Sequence, residues 1–534
     1  MFSPGEIPAD LQGSVFRNGP AKFERGGVRY KHVLDGDGLV TRFSIDGKSQ
    51  KASFASRFVR TKYFEAEDAA DAVLYRNTFG TQPEGVLRNV GNMRLKNVAN
   101  TNVQMWGGKL YALWEAALPV ELSPSSLEVL GVSTLEGELR DGLGGGGLGI
   151  TVSTGSDELD ALLGVNQAFT AHPRADGSRG SRMLGWGWAA NLDMSTLSTR
   201  LFEWDATSGE LLSQRNATLS SPLAPHDFAA TPRHYVFALN GMRLDLLPYV
   251  AGLKGPVDCL RTTGGAVTLQ LVPRPGAEED AEEDAEPMTL LTDDAYFVIH
   301  HATALEEADE SGGRVMRLYT AGWPSVEEGP FLGDWGGEVP SYDDGQISPT
   351  HLFETSLRFG TKGEPPSVTK RTVAGGACID HPHVDPRFEG DARCRYVYMS
   401  LCNEEGVSGS PPVGWMRWDR QSGHTQKWWA PEGCFCEEIL VIPRGPRGAA
   451  GAAGAAGAAG DAGDAGDAGA AGAAGDADTA DAYLAGMLYD SNRGASCLAL
   501  LDAANVERGP LCKLWLSGKV PHGLHGCFVP TIYE

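Results

Sequence analysis

Short β-rich runs bounded by turn residues recur at even spacing along most of the chain, and convincing amphipathic helices are few. LVTRFSIDG, GKLYALWEA, YVFALN, RVMRLYTAGW, CRYVYMSL, LVIPR and AGMLYDSN are examples. In LFEWDATSGELLSQ, GWMRWDRQSGHTQKWW and LAGMLYDSNRGASCLALLDA, two such runs flank a turn of Asp, Ser, Asn and Gly, which predicts three hairpins. The pattern predicts an all-β protein built from many four-stranded units. A β-propeller is the closed form that suits 534 residues, and a pair of large β-sandwiches is the alternative. Repeat architectures grow as one unit, so residues 1–534 are read as a single domain.

Two segments break the pattern. Residues 448–478 repeat Gly-Ala-Ala and Gly-Asp-Ala with no bulky side chain to bury; the Gly period resembles collagen, but no proline lies within it, which favours a flexible insertion. The acidic run at 276–287 is read as a second flexible insertion. A third stretch, LDLLPYVAGL at 244–253, is apolar without a polar face, and is either a buried connector or an exposed patch that dips into a membrane.

Half of the formal net charge of −24 sits in the two insertions, so the folded body is only moderately acidic. Nucleic-acid binding needs a basic face and is not expected. The nine cysteines are scattered with no CxxC pair, which fits reduced thiols serving as small apolar residues. No run approaches 18 consecutive apolar residues, and the start, MFSPGEIPADLQGSVFRNGP, carries neither a signal-peptide core nor a transit segment. An intracellular protein, soluble or peripheral to a membrane, in plastid or cytoplasm, is the expectation. The glycine-rich pieces lie in loops rather than between a strand and a helix, so they do not suggest a nucleotide site.

Four histidines each lie in their own short motif: His172 in FTAHPRAD, His226 in PHDFAAT, His300 in FVIHHATALEE and His525 in VPHGLHGCFVP. Neutral imidazole is a common ligand for iron, copper and zinc. The chain has 12 histidines and none of the four has the HxxxH or HExxH spacing of a helical zinc site, so spacing alone leaves open whether they meet.

The ordered set of motifs resembles the carotenoid cleavage oxygenases. RNGP (Arg17–Pro20), HVLDGDGLV (His32–Val40), ALWEAALP (Ala112–Pro119), TAHPRAD, PHDFAAT, HHATALEE, CEEILVIPRG and VPHGLHGCFVP follow that family's order over essentially the whole chain apart from the insertions. The stretch from Leu74 to Pro119 is most similar to the apocarotenoid-15,15′-oxygenase branch.

The resemblance implies a seven-bladed β-propeller capped by a helical and loop dome, with one non-haem Fe(II) on the axis. It implies His172, His226, His300 and His525 as the ligands, with His300 rather than His301 matching the family's H-x-x-N-A-x-E element. Three acids behind the ligands are implied as well. Two are Glu115 and Glu438. The third falls at Asp380, where the family has Glu, so a shifted histidine or a bridging water is expected, with weaker iron retention. Thr101 matches a threonine whose methyl crowds an open position on the metal. Thr303 replaces the family's Asn, which puts packing of that loop in question. His381 and His383 stand beside Asp380 where the family has an aromatic and often a basic residue, and either support the site or face solvent; His522 is a similar case.

The implied reaction is oxidative cleavage of a conjugated C=C bond of a carotenoid or apocarotenoid by dioxygen, at the 15,15′ bond to give retinal. The implied partners are the polyene and dioxygen, and such an apolar substrate favours membrane contact through 244–253. Stilbene cleavage, isomerisation, and carotenoid binding with little catalysis are the rival readings.

Overall fold

The structure is a computed structural model. It describes residues 5–142, 151–276, 286–292, 295–309, 313–330, 348–360, 366–403, 409, 411–444 and 480–534. The insertion at 448–478, and residues 277–285 of the other, lie outside the described residues.

Among the described residues, seven sheets, antiparallel apart from the short strand Val152–Ser153 in the third, follow one another around a common axis, each running from an inner to an outer strand. The innermost strands are Gly526–Val529, Asn102–Trp106, Ala168–Phe169 with Arg174–Asp176, Ala229–Ala230, Phe297–Ala308, Cys378–His383 and Cys434–Pro443, in blades one to seven. This is the seven-bladed β-propeller that the resemblance implied. The three predicted hairpins are the outer strand pair of the third blade and strand pairs of the sixth and seventh.

Closure follows from pairing the two chain ends. Gly526–Val529 lies antiparallel to Gln12–Lys22, with Arg17 opposite Gly526 and Ser14 opposite Val529. A Cβ on Gly526 would meet the Phe16 carbonyl oxygen at 2.1 Å, so only glycine lets the closing strand approach this near. Ring closure thereby sets where the adjoining His525 stands.

Seven apolar clusters fill the propeller, one between each neighbouring pair of blades. Leu305, Tyr319 and Leu352 of the fifth blade, for example, pack on Ile379, Met399 and Trp418 of the sixth. The inner strand Cys434–Pro443 is buried on both faces along most of its length, whereas the outer strand Leu211–Leu219 alternates half-buried and exposed residues, as a solvent-facing edge should. Blades are therefore wedges held by apolar contact, and the axis is where their inner strands converge.

Helices are short and confined to connections. Lys62–Ala70 starts at Thr61, whose hydroxyl accepts the Phe64 N–H. Val86–Asn89 and Leu246–Val250 lie side by side, with the Gly91 N–H donating to the Val250 carbonyl at 2.8 Å. Fully buried Arg76 pins both segments, donating to the carbonyls of Asn92 (2.7 Å) and Tyr249 (2.9 Å). The apolar segment at 244–253 is exposed at Leu247 and Leu253, while Tyr249 is buried. Val86, Leu87 and Val90 extend the exposed apolar surface. Among the described residues, no helix is long and apolar enough to cross a membrane.

Candidate metal centre

The four histidines meet on the axis. His172 lies between the two pieces of the inner strand of the third blade, His226 precedes that of the fourth, His300 lies within that of the fifth, and His525 precedes the closing strand of the first. Nε2 of His226 lies 3.1 Å from Nε2 of His172 and 3.2 Å from Nε2 of His300. One ligand atom from each of the four falls within 4.8 Å of the others, so this cluster can hold a metal ion. Two imidazole nitrogens bound to one ion at about 2.1 Å and at right angles would stand about 3.0 Å apart, close to the spacings found.

Strand geometry separates His300 from His301. In a regular strand, neighbours point to opposite faces. The pairing of Phe297–Ala308 with Arg314–Trp323 shifts register between Val298 and His300 and again between His301 and Thr303. These bulges turn His300 to the axis. His301 instead donates its backbone N–H to Asp227 at 2.7 Å.

The remaining three blades supply acids. Glu115 follows strand Lys109–Leu113 of the second blade, Asp380 lies in the inner strand of the sixth, and Glu438 in that of the seventh. His226 Nδ1 donates to Glu115 Oε2 at 2.6 Å, His300 Nδ1 to Asp380 Oδ1 at 2.8 Å, and His525 Nδ1 to Glu438 Oε1 at 2.7 Å. A proton fixed on Nδ1 leaves the Nε2 lone pair free for a metal. Of the two expectations for Asp380, a shifted histidine or a bridging water, the second is not needed, because the shorter side chain reaches His300 directly.

Burial and these carboxylates set the charge states. Burial disfavours the cationic form of His226, but the Glu115 carboxylate outweighs it and pushes the imidazole up to about 9. Burial first, and then the positive charge of the neighbouring histidines and Arg174, hold His172 well below the usual imidazole range. Burial also lowers His525, to about 4, against the pull of Glu438. Burial raises all three acids, yet each stays below the usual carboxylate range because cationic and hydrogen-bonding neighbours prevail.

The other expected residues fall close by. Thr101 is buried, with its hydroxyl 3.3 Å from Asn100 Oδ1, and the next residue, Asn102, donates to the carbonyl of Ala171 beside His172. Thr303 is well satisfied, accepting the Gly390 N–H at 3.0 Å, so the missing Asn leaves no gap in hydrogen bonding. His381 packs its ring 5.2 Å from that of His300 and 5.4 Å from that of His525. His383 donates to Glu438 Oε1 at 2.5 Å. His522 is 40% exposed and 3.9 Å from Glu437.

Sequence reasoning missed a clamp joining three of the four histidine-bearing segments. Arg174, two residues after His172, forms an ion pair at 2.5 Å with Asp227, which follows His226. Arg174 also bonds the carbonyl of His301, and Asp227 accepts the N–H of the same residue. Glu389 completes the group at 3.1 Å from Arg174, its carboxyl pushed up to about 7 by burial. The signal was present in the quoted motifs HPRAD and PHDFAAT, but the pairing of Arg174 with Asp227 appears only when the two blades are neighbours.

The site is open unevenly. Side chains of His226 and Glu115 are 32% and 39% exposed, whereas His172, His300 and His525 are buried. These three border an axial cavity of about 230 Å³ that also reaches Arg174, His383 and Glu389.

Comparison with known proteins agrees with this architecture. The family model described as retinal pigment epithelial membrane protein matches residues 2–530. The apocarotenoid-15,15′-oxygenase of Synechocystis is 31% identical over 99% of this chain and 92% of its own length. A chloroplastic carotenoid cleavage dioxygenase 7 of Oryza sativa is 25% identical over 83% of this chain and 78% of its own. The crystal structure of cobalt-substituted Synechocystis apocarotenoid oxygenase superposes with a TM-score of 0.77 at 29% identity, covering 98% of this chain and 94% of that one. A family match over nearly every residue, joined to this fold and this histidine cluster, means that the chain belongs to the carotenoid cleavage oxygenase family.

Proposed function

We propose that the protein is a non-haem Fe(II) dioxygenase that cleaves one conjugated C=C bond of a carotenoid or apocarotenoid, with the 15,15′ bond as the target and retinal as a product. The observation that carries this reading is the set of four convergent imidazoles, three of them oriented by carboxylates, in a chain similar along its length to an apocarotenoid-15,15′-oxygenase.

His172, His226, His300 and His525 would hold one Fe(II). Four neutral ligands leave the ion's charge uncompensated in the first ring of contacts. Bound there, Fe(II) would supply the redox chemistry for cleavage by dioxygen, in which one C=C and one O=O bond give two carbonyl groups, each with one oxygen atom. Glu115, Asp380 and Glu438 hold three of the imidazoles in tautomer and direction. Thr101, anchored through Asn100 and next to Asn102, would crowd one face of the ion and leave a single position for dioxygen. The exposed flank at His226 and Glu115 is where the polyene would lie. The chain's task is then to fix one bond against the metal and keep the rest of an apolar substrate out of water. The exposed residues of 244–253, with Val86, Leu87 and Val90 beside them, form a patch suited to collecting such a substrate from a membrane surface.

The test is an assay of anaerobically iron-loaded protein against a panel of apocarotenoids and stilbenes, with products identified by mass. Two carbonyl fragments from an apocarotenal, lost on His226→Ala, are expected. Full turnover by iron-free protein or by His226→Ala would sink the mechanism. Cleavage of stilbenes alone would move the substrate class, and a single product of unchanged formula would mark an isomerase.

A further inference from the structure

Of the three carboxylates behind the histidines, Glu438 alone has a fully inaccessible side chain. A carboxylate so buried stays ionised only if donors replace the water it has lost. Glu438 has three. His525 Nδ1 and His383 Nε2 both donate to Oε1, at 2.7 and 2.5 Å, and Arg17 Nη1 donates to Oε2. Arg17 in turn bonds Glu437 at 3.1 Å and the Leu524 carbonyl at 3.0 Å. The N-terminal strand, the closing strand and the sixth and seventh blades are thus joined at one carboxylate.

The contribution of the sixth blade needs an irregular backbone. Asp380 and His383 are three residues apart, and in a regular strand they would point to opposite faces. The strand shifts register between them, and His381 adopts a left-handed φ of 49° that an imidazole-bearing residue seldom takes. The shift lets Asp380 reach His300 of the fifth blade while His383 reaches Glu438 of the seventh. Such a bulge persists only when its surroundings stabilise it, and here both ends of it are tied to the histidine cluster.

We propose that His383 is a positioning residue for the metal site: by occupying the second lone pair of Glu438 Oε1 it fixes the carboxylate that orients His525, and the left-handed turn at His381 serves to deliver it. The assignment rests on the reading of the four histidines as metal ligands. His383 itself does not touch the ion, and it acts through Glu438 alone.

The experiment compares Co(II) affinity, by chelator competition, and the visible Co(II) absorption spectrum in the wild-type protein, His383→Leu and His383→Gln. Outer contacts of this kind typically carry about 10–100-fold in metal affinity, so that loss, with a shifted spectrum, is expected for His383→Leu. His383→Gln, whose amide N–H can still reach Oε1, should stay within about threefold of wild type. If His383→Leu does not fold, His383→Asn takes its place, since its amide is too short to reach Glu438. Equal affinities for the two variants, whether both intact or both weakened, would overturn the proposal. A merely structural role would lower the melting temperature of the metal-free protein without changing affinity or spectrum. Failure of the wild-type protein to bind Co(II) or Fe(II) at all would instead overturn the metal-site reading together with this one.

Discussion

Replacing Asp380 by glutamate restores the residue that the family resemblance expects, and it should not improve the site. Asp380 Oδ1 already lies 2.8 Å from His300 Nδ1, and the same oxygen accepts the His381 N–H at 2.7 Å. The strand beneath is fixed by pairing of Ile379 with Leu401 and Asp380 with Ser400. An added methylene lengthens the side chain by about 1.5 Å, which this contact has no room to absorb. The glutamate must fold back or push His300 aside, at an overpacking cost of about 1–3 kcal/mol. Asp380→Asn is the complementary change: it keeps the size and removes the charge, roughly halving the strength of the bond to His300. A 10–100-fold loss of metal affinity, about 1.4–2.7 kcal/mol, is expected for Asn, and unchanged or lower affinity for Glu. Chelator competition under argon, with melting curves of the metal-free proteins as a control for folding, measures both. Metal binding by Asp380→Glu about tenfold tighter than wild type would refute the reasoning, because it would mean that Asp380 leaves His300 poorly held.

Other expectations concern the scaffold and the surface. Fully buried Arg274 pairs with Asp176 at 2.6 Å and Glu203 at 2.8 Å; Arg274→Leu takes the cation from buried Asp176, while Glu203 keeps Arg182 and the Tyr235 hydroxyl, and should cost about 3–5 kcal/mol in denaturant unfolding; a loss under about 1 kcal/mol would count against the ion network. Glu389 has a carboxyl raised by burial from 4.5 to about 7, so its folded state favours the protonated form. That contribution is complete at acid pH and is lost as pH rises through 7. Relative to Glu389→Gln, the wild-type protein should therefore lose about 3 kcal/mol between these values, and a pH-independent difference would refute the assignment. Leu247 and Leu87 are 80% and 91% exposed, and changing both to Asp should lower binding to phosphatidylcholine vesicles more than about a hundredfold, if each buries about 1.5 kcal/mol of side chain in the bilayer. Vesicle binding that survives both changes would rule this patch out as the contact.

Legibility in the sequence followed the range of the physics involved. Hairpins and strand periods are local, so LFEWDATSGELLSQ and the runs like it were readable directly. The four clustered histidines were readable only through their motifs, because segments whose successive histidines stand up to 225 positions apart carry no spacing rule that brings them together. Even so, the motifs distinguished His300 from His301, a choice that the two bulges in Phe297–Ala308 make physically.

Residue identity alone determined an all-β chain, a supply of imidazoles and acids in a known order, and an aspartate in an unusual place. Tertiary structure decided what those residues do. It set Asp380 against His300 without a water, turned His383 inward to Glu438 through a left-handed residue, and linked Arg174 to Asp227 between adjacent blades. Each of these depends on register shifts and on which blades are neighbours. A hydrogen bond is decided within a few tenths of an ångström, and only closure of the ring brings distant segments to that precision.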